Sequence, residues 1–132
     1  MIAADTNLVI RHLTGDDAAQ FAAVSRLFAE VESRREQIFL SCIVVCEATW
    51  VLARTFDFDK RRIAAAVEFL LSDGSFVFEQ RPLVERALAE FKRLSGQFAD
   101  HLIGVIAAEH DCSTTYTFEK ALARSENFTV LK

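Results

Sequence analysis

Apolar and polar positions along this chain fall into short blocks whose period changes, and each change marks a predicted element. Residues 1–4 are apolar without interruption and stop at Asp5, the pattern of a short buried strand that delivers an acid at its carboxyl end. Residues 7–13 continue as a helical turn up to the Thr14-Gly15-Asp16 break. From Asp17 onward Phe21, Val24, Leu27, Phe28 and Val31 recur at three and four residues, which predicts an amphipathic helix ending among Glu32, Ser33, Arg34 and Arg35. Residues 37–40 form a second strand, and Ser41 suits the N-cap of a helix running to about Thr55, with Glu47 in its second turn. Asp59 caps the next helix, whose stripe of Ile63, Val67 and Leu70 closes at the Asp73-Gly74 turn. Residues 76–78 are a third strand.

Pro82 suits the first turn of a helix with Leu83, Ala87, Leu88 and Phe91 on one face and Gly96 just past its end. Asp100 precedes a further helix built on Leu102, Ile103, Ile106 and Ala107. Residues 112–116 are rich in β-branched side chains and read as a fourth strand, 119–124 as a short helix and 128–131 as a last strand. Helices separate the strands throughout and hairpin signals are nearly absent, so the strands are expected to pair in parallel under helices on both faces, a three-layer α/β/α domain. In such a sheet the active crevice lies beyond the carboxyl ends of the strands. Asp5 follows the first strand and Glu119 the fourth, so the two meet there if those strands are neighbours.

The length of 132 residues with 52% hydrophobic content fits one domain over residues 1–132, large enough to bury its own core. One Pro, four Gly and no Ser- or Gly-rich run leave no linker. The longest apolar stretch, residues 38–48, is broken by Ser41 and Glu47 and falls short of the roughly 20 residues a membrane span requires. The first residues lack the basic flank of a secretion signal, and the three cysteines, an odd number, suit a reducing cytoplasm. Cys42 and Cys46 share a helix face, but no further soft ligands stand near them in sequence, so they read as small buried apolar residues. The net charge of −4 disfavours a general nucleic-acid surface. Setting Asp5, Glu47, Asp100 and Glu119 aside, however, leaves 15 acids against 15 bases, so a nucleic-acid substrate is admissible if metal ions supply positive charge at the site.

Those four acids carry the chemistry. Each sits where an apolar strand ends or beside an apolar helical run, so folding is expected to bring them against the core. Grouped carboxylates in such a place cannot all stay ionised without a cation, and hard oxygen donors suit Mg²⁺ or Mn²⁺. Taken singly, Asp5 reads equally well as a helix cap, Asp100 as an ordinary first-turn acid, Glu47 as a partner of Arg54 and Glu119 as a neighbour of Lys120 and Arg124. His101 beside Asp100 could bind substrate or ligate metal but reads rather as a solvated or structural residue, and His12 and His110 lack a carboxylate pattern that would make an acid–base pair. Trp50 and the twelve Phe residues read as packing, while Arg34, Arg35, Lys60, Arg61 and Arg62 gather at helix ends, where solvated charge is the commoner state and RNA contact the functional one.

The order Asp-Thr-Asn after the first strand, Ser-x5-Glu-x2-Trp-Val-Leu on a helix, Asp-x-Leu-Ile in a later helix and Thr-Phe-Glu-Lys after the fourth strand resembles the PIN-domain nucleases, and among them the VapC-type toxins. The resemblance covers essentially the whole chain. It implies a five-stranded parallel sheet, Mg²⁺ or Mn²⁺ held by Asp5, Glu47 and Asp100, endoribonuclease activity that leaves a 5′-phosphate and a 3′-hydroxyl, a homodimer, and a VapB-like antitoxin forming a hetero-oligomer with it. Glu119 stands where the family usually has Asp, one methylene longer, and as the fourth catalytic and metal-ligating position it could reach an ion directly or through water. Thr6, Asn7, Thr115 and Thr117 are supporting positions that could orient waters or phosphate, Thr6 and Thr117 foremost.

The rival from another class is a PIN-like protein of impaired catalysis that binds an antitoxin or RNA, and it rests on the Glu119 departure. A receiver-type signalling domain would need an acidic neighbour for Asp5, and an Asp-x-Asp phosphatase a second Asp where Asn7 stands.

Overall fold

The computed structural model describes all residues, Met1–Lys132. In chain order the elements are β1 (Ile2–Ala3), α1 (Thr6–Thr14), α2 (Ala18–Ser33), β2 (Ile38–Leu40), α3 (Cys42–Arg54), α4 (Lys60–Ser72), β3 (Phe76–Phe78), α5 (Arg81–Arg93), α6 (Phe98–Glu109), β4 (Thr115–Thr117), a single 3₁₀ turn (Lys120–Leu122) and β5 (Phe128–Val130). The helices begin where local chemistry starts them. Asp5, Asp17, Ser41 and Asp59 sit in extended backbone, and each side chain accepts a hydrogen bond from the amide three residues on, satisfying a donor that the helix itself leaves free. Pro82 lies in the first turn of α5, where its missing amide costs nothing. Gly15 ends α1 with φ +62°, a left-handed cap that L side chains rarely adopt, and its amide donates to the Arg11 carbonyl.

All strand pairing is parallel, as the helix-separated pattern predicts. The expected single five-stranded sheet is corrected. β1, β2 and β3 form one sheet in that order, and β4 and β5 form a second. With strands of two or three residues, a ladder has only a few hydrogen bonds to hold it. β1 directs its bonds to β2, through Ile2 N to the Gln37 carbonyl and Ala4 N to the Phe39 carbonyl, while Thr115 N donates to Asn127 and Leu131 N to Thr117 within the second pair. Strands β1 and β4, whose adjacency was the condition for Asp5 and Glu119 to meet, form no ladder with each other.

One contiguous core joins the first sheet to the helices, with Ile38 and Leu40 of β2 at its centre and Val45, Leu52, Val67, Val84, Phe98, Leu102 and Val105 sealing it from the helices. Glycine at 104 lets α6 approach the second sheet, since a Cβ there would stand 2.6 Å from the Phe128 ring. Gly96, at φ +110°, likewise admits Leu122 and His101 beside the loop that opens α6. His101 is buried and its Nε2 donates to the Ser95 carbonyl at 2.9 Å, the structural role expected for it. Trp50, expected in the core or an interface, is outside the core: it is 51% exposed, with the Arg54 guanidinium 4.9 Å from its ring centroid. No helix is long and apolar enough to cross a membrane.

Candidate active site

Parallel pairing places the carboxyl ends of β1, β2 and β3 along one edge, and the chain puts chemistry just past each of them. Asp5 follows β1, Ser41 follows β2 and caps α3, and Glu79 follows β3. A hollow of about 360 Å³ at this edge is lined by Ala4, Asp5, Phe39, Ser41 and Val44 among others. Helix α3 packs against both α1 and α6. Glu47 on α3 therefore lies on the element shared by the helix that Asp5 opens and the helix that carries Asp100.

Asp5 caps α1, its Oδ1 accepting from the Leu8 amide at 3.0 Å. Asp100 is the third residue of α6 rather than a residue before it, and its Oδ2 accepts from the Gln97 amide at 3.0 Å. Glu47 Oε1 accepts from the Thr6 hydroxyl at 3.1 Å, across 41 residues of sequence. Each of the three carboxylates is thus tethered through one oxygen, while the other oxygen has no hydrogen bond within the protein. None of them pairs with a lysine or arginine; the pairing of Glu47 with Arg54 is not formed. Metal-ligating carboxylates are characteristically steadied this way, one oxygen held by a neighbour and one left for the ion. The donor set suits a hard divalent cation.

Two expectations are corrected here. Asp5, Glu47 and Glu119 are exposed and Asp100 is half-buried, so the acids are not pressed into the core. The apolar residues flanking Glu47 divide between two faces of α3: Val45, Ala48 and Leu52 turn inward, while Ile43 and Trp50 share the open face with Glu47. As the side chains stand, no three Asp, Glu, His or Cys residues are close enough to hold one ion. Like charges on an open surface relax apart, and each of these acids also has a backbone or hydroxyl donor of its own to turn to.

Glu119 lies just after β4 and caps the 3₁₀ turn, its Oε1 accepting from the Ala121 amide at 2.9 Å while its own amide donates to the Thr117 hydroxyl at 3.0 Å. Thr117 therefore shapes the turn that presents Glu119, as Thr6 holds Glu47. Thr115 takes part in the β4–β5 ladder, and Asn7 lines the hollow between α1 and α2 beside Leu8, Arg11 and Gln20. Neither is hydrogen-bonded to a side chain of the four acids. Among the basic residues, Lys60 donates to the Leu94 carbonyl and Arg62 lies 3.9 Å from the Phe58 ring centroid, so both are engaged with their own fold.

Sequence reading missed Glu79. Its Oε1 accepts from the Cys42 amide at 2.8 Å, fixing the first turn of α3 to the end of β3. The signal was present, since Phe-Val-Phe-Glu repeats the apolar-strand-then-acid pattern of the N-terminus. Cys42 and Cys46 are partly buried. Burial, then the charge of Glu79 and its hydrogen bond, raise the Cys42 thiol above its ordinary range. Burial, then Cys42 and Asp100, push Cys46 up to about 11. Both therefore stay protonated near neutral pH, and a thiol is not the thiolate that a soft metal needs.

The model of the PIN domain family matches residues 2–127. The chain belongs to the PIN domain family. A PIN-domain relative described as a VapC ribonuclease, from Aquifex aeolicus (strain VF5), is 24% identical over 114 residues, covering 86% of this chain and 84% of the relative. In this PIN domain Asp5 stands after β1 and Glu119 after β4, while Glu47 lies on α3 and Asp100 in the first turn of α6, and the Thr6–Glu47 hydrogen bond ties the β1 motif to the α3 motif. Replacing Thr6 with Val keeps the shape of the side chain and removes that link. If Glu47 holds an ion needed for RNA cleavage, Thr6→Val is expected to lower that cleavage by about 10–100-fold, the usual effect of losing an outer-shell partner, with an unchanged melting temperature. Full activity in a steady-state cleavage assay would show that Glu47 needs no such support.

Proposed function

We propose that this protein is a VapC-type endoribonuclease that hydrolyses RNA phosphodiester bonds with Mg²⁺ or Mn²⁺ held by Asp5, Glu47 and Asp100. The observation that carries this reading is the shared state of the three acids: each gives one oxygen to a neighbouring donor, keeps one free and has no cationic partner. The chemistry that the ion supplies when bound is neutralisation of phosphate charge and acidification of a water, which provides the nucleophile.

The residues of the chain do the positioning. Asp5 and Asp100 are fixed to the first turns of α1 and α6, so their free oxygens keep constant directions relative to those helices. Thr6 selects the Glu47 rotamer. Glu119, brought up by the Thr117 turn, is the fourth acid; like Asp5 and Asp100 it gives one oxygen to a nearby backbone amide, and its side chain is one methylene longer than the usual Asp. The products are a 5′-phosphate and a 3′-hydroxyl. The same resemblance supports a homodimer and a small VapB-like antitoxin that covers the acids.

Incubating the purified protein with a panel of RNAs tests this directly. Cleavage is expected with Mg²⁺ or Mn²⁺, to stop on chelation and to return when the ion is restored, with 5′-phosphate ends on the products. Cleavage that persists in chelator, or products carrying a 2′,3′-cyclic phosphate, would contradict it.

A further inference from the structure

A second feature lies at the opposite end of α1 from Asp5. A cavity of about 420 Å³ opens where β2 and β3 begin, a size in the range of small-molecule sites. Phe21 and Phe28 of α2, Phe69 of α4 and Phe76 of β3 line it, and His12 of α1 stands among them. The His12 ring centroid is 4.9 Å from that of Phe28 and 5.9 Å from those of Phe69 and Phe76. Its Nε2 is buried and has no hydrogen-bond partner. Native interiors rarely leave a polar atom in that condition without a use for it.

Glu32 and Asp73 complete the wall, and neither is paired with a base. Asp73 Oδ1 accepts from the Ser75 amide at 2.9 Å, leaving its other oxygen free. Burial lowers the pKa of His12, opposed by the charge of Asp73, so the ring is neutral near pH 7 and offers an acceptor nitrogen. Across the His12 ring a second hollow of about 360 Å³ is lined by Leu13, Phe58, Arg62 and, again, Phe69. Phe69 is 52% exposed and lines both hollows, as His12 does.

Aromatic faces attract cations, two unpaired carboxylates reject anions, and an orphan acceptor calls for an N–H donor. A neutral apolar guest would satisfy only the rings. We propose that this cavity binds a free small organic cation bearing N–H donors, a guanidinium or primary ammonium on a short carbon chain, set among Phe28, Phe69 and Phe76 between Glu32 and Asp73 with one N–H given to His12 Nε2. The site is separate from the acids of the strand ends and stands whether or not those acids cut RNA.

The test is an NMR and calorimetric titration of the full chain with agmatine, beside the neutral analogue N-butylurea and the capped amino acid N-acetylarginine amide. Saturable agmatine binding is expected, with shifts centred on His12, Phe28, Phe69 and Phe76, and N-butylurea at least about tenfold weaker. Glu32→Gln with Asp73→Asn should weaken agmatine on the order of tenfold, the Asn oxygen still serving the Ser75 amide. If that double variant melts early, Glu32→Gln alone, on an exposed position, carries the comparison. No saturable binding, equal binding of the urea, or shifts centred on Asp5, Glu47 and Asp100 would overturn the proposal. Binding of the capped arginine without agmatine would overturn it too, assigning the cavity to a protein partner's side chain.

Discussion

Asp100→Asn is expected to reduce RNA cleavage by at least about 100-fold, more than the loss of an outer-shell partner costs, while leaving the fold intact. The separation of the two effects follows from how Asp100 is used. One oxygen accepts from the Gln97 amide in the first turn of α6, a bond that an Asn carbonyl oxygen can also accept. What Asn cannot supply is the negative charge and the second hard oxygen that an ion would take. Asp5→Asn has the same logic, because Asn can keep the cap on the Leu8 amide. Steady-state cleavage beside circular dichroism melts reads both quantities. A variant that melts as the parent and cuts as the parent would remove Asp100 from the site.

Phe98→Ala is expected to be the most damaging core substitution near the site, lowering stability by about 3–5 kcal/mol, a large part of the roughly 5–15 kcal/mol that holds an ordinary domain folded. Phe98 is 1% exposed and meets Phe91 edge to face, with ring centroids 6.0 Å apart and planes at 83°. It is also the first residue of α6, two before Asp100, so the cavity left by truncation would loosen the turn that aims the acid. Chemical denaturation gives the stability difference. Ile103→Ala on the same helix is the control: Ile103 is 52% exposed, and a change of more than about 1 kcal/mol there would mean that its face is covered in solution.

What the sequence made legible was local. Ser41 and Asp59 announce their helices because a cap is a contact over three residues, and Gly15 ends α1 because a left-handed cap needs no distant partner. The parallel pairing followed from the alternation of strands and helices. The division into two sheets was not legible, since pairing between strands as short as Ile2–Ala3 depends on a few bonds made across the whole chain. Of the candidate site, the identities of the acids could be read, but their exposure could not. Apolar neighbours of Glu47 suggested burial, yet on a helix adjacent residues point in different directions, so Val45 and Ala48 can be buried while Glu47 stays open. The Thr6–Glu47 bond and the grip of Glu79 on Cys42 span 41 and 37 residues, beyond the reach of any periodicity.

The central claim is that Asp5, Glu47 and Asp100 together hold the ion that cleavage needs. Electron paramagnetic resonance of bound Mn²⁺, titrated into the protein and into Asp5→Asn, Glu47→Gln and Asp100→Asn, addresses it without relying on a chosen RNA. Binding by the parent and its weakening in all three variants, each still folded, is the predicted result. Mn²⁺ bound equally well by parent and variants would contradict it.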